Sequence, residues 1–138
     1  MDLGLTGKRA LVLGGNRGIG FGIAKALADE GADVLIAARD AARLSAAATE
    51  LRATAAGKIA SAEIDLQKSA ELAGFAERIT TSFGPMDILI NNTGGPPYGG
   101  ASNRPLKEWR DSFDEMVVSI IALTDALLPG MRDRKSVV

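Results

Sequence analysis

Three glycines carry the chemistry most open to reading in this chain. Gly14, Gly18 and Gly20 lie in "LGGNRGIG", spaced G-x-x-x-G-x-G. A tight turn needs positive φ at some positions, and a phosphate reaches backbone N–H groups only where no Cβ stands in the way. If a helix begins at this turn, its N-terminus adds partial positive charge directed at that phosphate. A bare glycine pattern is equally compatible with the end of a strand and a simple turn. Two arginines are the obvious partners for an anion here, Arg17 inside the motif and Arg39 further on.

Other reaction types are closed off by composition. The 138 residues include no Cys and no His, which excludes disulfides, zinc sites of the Cys/His kind and any His-based triad. A general acid or base must therefore be Asp, Glu, Lys or Tyr. Tyr98 is the only tyrosine and Trp109 the only tryptophan. Sixteen Lys plus Arg against seventeen Asp plus Glu give a net charge of −1, with no basic excess for nucleic acid or a membrane surface. No apolar run approaches the roughly 20 residues of a membrane span. The N-terminus lacks the charged-then-apolar order of a signal peptide, so a cytoplasmic protein is expected. No metal site is expected.

The elements around the glycines follow from hydrophobic patterning. "RALVLGG" reads as a buried strand. Gly18–Glu30 reads as a helix with Ile19, Ile23, Ala26 and Leu27 at helical spacing, stopped by Gly31. "DVLIAAR" is a second buried strand, and an alanine-rich helix from Ala41 to about Ala55 turns Leu44, Ala48 and Leu51 to one side. "KIASAEIDL" is a weaker third strand. A helix over Gln67–Phe83 buries Leu72, Phe75, Ala76 and Ile79, and Ile88–Ile90 forms a fourth strand. Gly94–Gly100 is a loop.

One long helix then spans Pro105 to about Arg132, with Pro129 near its end. Its stripe is Trp109, Phe113, Met116, Ile120, Leu123, Leu127 and Met131. Val117, Val118, Ile120 and Ile121 make it apolar nearly all round, so it requires burial on both sides. Strands without alternation, each followed by a helix, predict an α/β fold: a doubly wound parallel sheet in one domain over 1–138. Val137 and Val138 read as the first residues of a fifth strand, so a chain cut at that point is expected.

The glycine turn in this setting resembles the T-G-x-x-x-G-x-G cofactor turn of the classical short-chain dehydrogenases/reductases, in particular 3-oxoacyl-acyl-carrier-protein-reductase-like members. Leu13 stands where the family usually has Thr. The resemblance runs from about Thr6 to the end of the chain. It implies a Rossmann-type fold and NAD(P)(H)-dependent carbonyl reduction or secondary alcohol oxidation on a small molecule. It places the cofactor against Gly14, Asn16, Arg17, Gly18, Ile19 and Gly20.

Three further sites match. Ala38 occupies the position where NAD-type members carry an acid for the ribose hydroxyls, and Arg39 follows it; an acid would repel a 2′-phosphate and a guanidinium pairs with one. NADP(H) is therefore favoured over NAD(H), although Arg39 also reads as a solvated residue at a strand end. Asp65 and the backbone of Leu66 match the adenine-contacting positions, while a cap on the next helix explains Asp65 nearly as well. Asn91, Asn92, Thr93 and Gly94 match the family's N-N-A-G.

The resemblance also shows what is missing. Family members use a Tyr, a Lys four residues later that lowers the Tyr pKa, and a Ser on the substrate oxygen. Four residues after Tyr98 stands Ser102, and Ser136 precedes the fifth strand where the family's Ser follows it. The family's helix Asn, seven residues after Trp109, is here Met116, which reads as a core residue; Ser119, one turn on, is a partial substitute for holding a water. No catalytic residue is assigned, and the chain is expected to bind cofactor without turnover. A non-catalytic dinucleotide-binding or sensor module is the alternative. The family's packing of this helix against a neighbouring subunit implies a homo-oligomeric parent protein.

Overall fold

The first two strands hold almost no polar side chain on either side, and this forces helices onto both faces of the sheet. A computed structural model of the chain describes residues 1–135. Strands β1 (Arg9–Leu13), β2 (Asp33–Ala38), β3 (Ile59–Glu63) and β4 (Ile88–Ile90) form one sheet in the order β3-β2-β1-β4. All pairings are parallel, with Leu11 beside Leu35 and Leu89, and Val34 beside Ile59. Chain order reverses direction at β1, so the sheet is doubly wound, as expected.

Alternate side chains of β1 and β2 divide two cores. Leu11, Leu13, Leu35 and Ala37 pack with α3 (Leu72–Ser82) and α5 (Ser119–Asp133). Ala10, Val12, Val34 and Ile36 pack with α1 (Gly18–Asp29) and α2 (Ala41–Arg52). The faces expected for α2 and α3 are buried: Leu44, Ala48 and Leu51 on one, Leu72, Phe75, Ala76 and Ile79 on the other. A 3₁₀ turn, Ser69–Glu71, precedes α3, so that helix begins later than the expected Gln67.

Two expectations about helix faces are corrected. The inward face of α1 is Gly20, Ala24 and Ala28; Ala26 is exposed and Ile19 is 79% exposed. Close approach to the sheet selects small side chains there, not the largest ones. The long helix is three pieces: α4 (Leu106–Phe113), a π turn (Asp114–Val118) and α5. A π turn admits extra residues per turn and rotates whatever precedes it. Leu123, Leu127 and Met131 remain buried, whereas Trp109, Phe113 and Met116 swing into solvent. Met116 is therefore not a core residue. Pro129 lies inside α5, which continues to Asp133. The expected fifth strand and Ser136 fall outside the described residues.

Candidate functional site

Every strand of this sheet ends on the same side, and the connections leaving those ends wall a cleft of about 510 Å³. The volume lies in the usual range for small-molecule and cofactor sites. Leu13 and Gly14 come from the end of β1, Ala38 and Arg39 from β2, Ile64 and Leu66 from the segment after β3, and Asn92–Gly94 from β4. In a doubly wound sheet this is the crevice where ligands sit, at the point where strand order reverses.

The glycine turn is built by contact as much as by conformation. Gly14 has φ +62°, and a Cβ on it would lie 2.7 Å from Asn92 Nδ2. A Cβ on Gly20 would lie 2.2 Å from the carbonyl oxygen of Gly14, so Gly20 brings α1 against the end of β1 from beneath and does not itself line the cleft. Gly18 faces open space, with nothing within 4 Å of its absent Cβ. Helix α1 starts there with no side-chain cap on its N-terminus. Its first N–H groups lack intrahelical partners and stand at the cleft wall, an arrangement suited to an anion.

The floor is tied across the sheet. Asn92 Nδ2 donates to the Leu13 carbonyl oxygen at 3.2 Å, and Gly14 N donates to Ala37 O at 2.7 Å. On the far wall the long helix holds the segment after β3. Buried Ser119 donates through Oγ to the Leu66 carbonyl oxygen, and Gln67 Nε2 donates to Glu115 Oε2 at 3.0 Å. Ser119 is thus occupied by backbone and is not a free group for holding a water.

Of the twelve residues expected from sequence, ten line the cleft: Gly14, Asn16, Arg17, Gly18, Ile19, Arg39, Leu66, Asn92, Thr93 and Gly94. Gly20 supports it. Asp65 lies next door, in a cavity of about 270 Å³ that shares Arg39 as a wall. Asp65 Oδ1 accepts from Gln67 N at 3.0 Å, which closes a local turn and does not cap α3.

Asp40, Arg43 and Glu115 also line the cleft and were missed. Asp40 had a readable signal, an acid directly before a helix start, and it does cap α2 by accepting from Arg43 N at 3.0 Å. Arg43 is then one turn inside. Glu115 had no signal, because the π turn that aims it is not visible in the residue pattern.

Charge in the cleft is uneven. Among the described residues, Arg17 and Arg39 make no hydrogen bond or salt bridge through their side chains, whereas Arg43 pairs with Asp40. No group of three or more His, Cys, Asp or Glu among the described residues could hold a metal, and no helix there is long and apolar enough to cross a membrane. Tyr98, the only tyrosine, stands fully exposed on the loop after β4.

A parallel doubly wound sheet with a glycine turn between its first strand and first helix defines a Rossmann-type nucleotide-binding architecture. Comparison with known proteins narrows this. The family model for short chain dehydrogenases matches residues 8–137, and the chain belongs to that family. It is 35% identical over 132 residues to the ketoacyl reductase HetN of a Nostoc species, covering 96% of this chain and 46% of that protein. Its structure is similar to that of L-sorbose reductase from Gluconobacter frateurii, solved with NADPH and L-sorbose. The TM-score is 0.90 at 32% identity, over 97% of this chain and 51% of that one. RhlG of Pseudomonas aeruginosa, solved with NADP, gives a TM-score of 0.85 at 35% identity over 94% and 50% of the two chains. The chain spans about half the length of the curated relatives it matches.

Proposed function

We propose that this chain is the NADP(H)-binding portion of an oxidoreductase that reduces a carbonyl or oxidises a secondary alcohol on a small molecule. The observation that carries the reading is the pair of guanidiniums, Arg17 and Arg39, that have no partner among the described residues, in a cleft that also presents an uncapped helix N-terminus behind Gly18. When bound, the cofactor supplies a hydride donor or acceptor. The residues present fit it part by part. With the cofactor bound, the N–H groups at the start of α1 would hold the pyrophosphate, Arg39 and Arg17 the 2′-phosphate, and Leu66, with Asp65 in the adjoining cavity, the adenine. Asn92, Thr93 and Gly94 line the cleft where they would lie beneath the ribose. Ala38 places no carboxylate against the 2′-phosphate. Relatives solved with NADPH or NADP support the same choice.

Titration of the 138-residue chain with NADPH and NADH, followed by nicotinamide fluorescence, tests the cofactor choice. Tighter binding of NADPH is expected, and Arg39→Asp should abolish the difference; a lost charge-assisted hydrogen bond typically costs about 1.5–3 kcal/mol, roughly tenfold or more in affinity. Equal affinities in the unaltered chain would reject the reading.

These 138 residues by themselves are proposed to bind cofactor without turnover, the behaviour of a non-catalytic binding module. Tyr98 projects into solvent and is followed four residues on by Ser102 in place of Lys, so it has no ammonium partner at the spacing the family uses. NADPH consumption with a panel of ketones, aldehydes and quinones should stay at background. Turnover lost on substituting a residue within the chain would overturn this.

A protein carrying this chain is further proposed to be a homo-oligomer. Leu106, Trp109, Phe113, Val117 and Ile121 are all exposed along α4, the π turn and α5. Their spacing makes one apolar band, and contiguous apolar surface of this kind marks an association site.

A further inference from the structure

We infer that Arg43 is a third guanidinium for the 2′-phosphate and a determinant of cofactor choice in its own right. The inference rests on the NADP(H) reading above and concerns a residue that the glycine turn and the segment after β2 do not include. Arg43 lines the same cleft as Arg17 and Arg39. It stands four residues after Arg39, on the first turn of α2, with Asp40, Ala41 and Ala42 between.

Asp40 determines how Arg43 is held. Its Oδ1 accepts from the Arg43 backbone N–H at 3.0 Å and so fixes where α2 begins. Its Oδ2 lies 3.3 Å from Arg43 Nε. One carboxylate therefore anchors the residue at two points. The two terminal nitrogens of the guanidinium make no hydrogen bond among the described residues. They form the planar end that engages phosphate oxygens two at a time.

Stability does not account for this ion pair. Both side chains are about half exposed, at 59% and 48%, and the pair spans three residues on a helix surface. Such pairs contribute little to folding. The electrostatic role in the cleft is larger. Asp40 is an acid on the wall that would receive a dianion, and left bare it would repel the 2′-phosphate. Arg43 neutralises Asp40 and offers donors of its own, so its removal both deletes an attraction and uncovers a repulsion. NADH, with no 2′-phosphate, experiences neither effect to a comparable degree.

The test is titration of NADPH and NADH into the 138-residue chain and its Arg43→Ala, Arg43→Lys and Arg39→Ala variants, with circular dichroism to verify folding. Arg43 is on the helix surface, so the variants should fold. Arg43→Ala should weaken NADPH by about tenfold or more and leave NADH within about twofold, with Arg43→Lys between the two. If the unaltered chain prefers NADPH and Arg39→Ala loses that preference while Arg43→Ala keeps it, the inference about Arg43 is wrong and the wider reading stands. If the unaltered chain shows no preference, the wider reading fails first.

Discussion

A Cβ on Gly20 would sit 2.2 Å from the carbonyl oxygen of Gly14, far inside any non-bonded contact that a Cβ makes with an oxygen. That contact is what seats α1 on the end of β1 and aims its N-terminus into the cleft. Gly20→Ala must push the helix away, and overpacking of this kind costs about 1–3 kcal/mol. Gly22 lies in the same helix with nothing within 4 Å of its absent Cβ. Gly22→Ala should instead stabilise by about 0.5–1 kcal/mol, because alanine loses less backbone freedom on folding. Urea denaturation of the two variants should move in opposite directions, and a shared direction would mean that the turn is not packed as described.

Asp87 and Arg134 pin the last turn of the long helix to the sheet. Arg134 Nε donates to Asp87 Oδ1 at 2.6 Å and Nη2 to Oδ2 at 2.8 Å, while Oδ2 also accepts from Arg9 N at 2.9 Å. The hydrogen bond to Asp87 raises the Arg134 pKa above its usual value, so the guanidinium stays charged at any working pH. Asp87 is buried, and Arg134 is 30% exposed on its side chain. Arg134→Ala removes the guanidinium from a buried carboxylate and should cost about 2–3 kcal/mol, below the 3–5 typical of a fully buried pair because water still reaches the arginine. Arg134→Lys should recover part of the loss. A midpoint unchanged by Arg134→Ala would show the pair to be idle.

The apolar band on the long helix makes a prediction about association. Sedimentation velocity on the chain at micromolar concentration should show species larger than a monomer, and Phe113→Glu with Ile121→Glu should shift them toward monomer without unfolding. Both residues are more than half exposed, so neither charge enters the core. A soluble monomer in the unaltered chain would count against the band as an interface between copies.

Sequence reading reached the sheet and most of the cleft for one reason: both rest on short local patterns. The runs of β1 and β2 lack alternation because both faces are covered, and the glycine spacing marks the turn directly. The reading failed where size or helix phase decides the outcome. Ile19 looks like a core residue by hydropathy, yet Ala24 and Ala28 take the inward face because only small side chains fit against the sheet. The π turn at Asp114–Val118 has no residue signature, so the faces of Trp109 and Met116 and the direction of Glu115 were hidden. The start of α2 at Ala41 was legible, but Arg43 was overlooked because the residue pattern does not show that the first turn of α2 borders the cleft.

A two-dimensional amide NMR titration of the 14.3 kDa chain with NADPH tests directly whether the cleft is a cofactor site. Shift changes should concentrate on residues 14–20, 38–43, 64–66 and 92–94, with little change along β3 or at the outer face of α5. No perturbation at millimolar NADPH, or changes grouped away from the glycine turn, would contradict the assignment of this cleft to a dinucleotide.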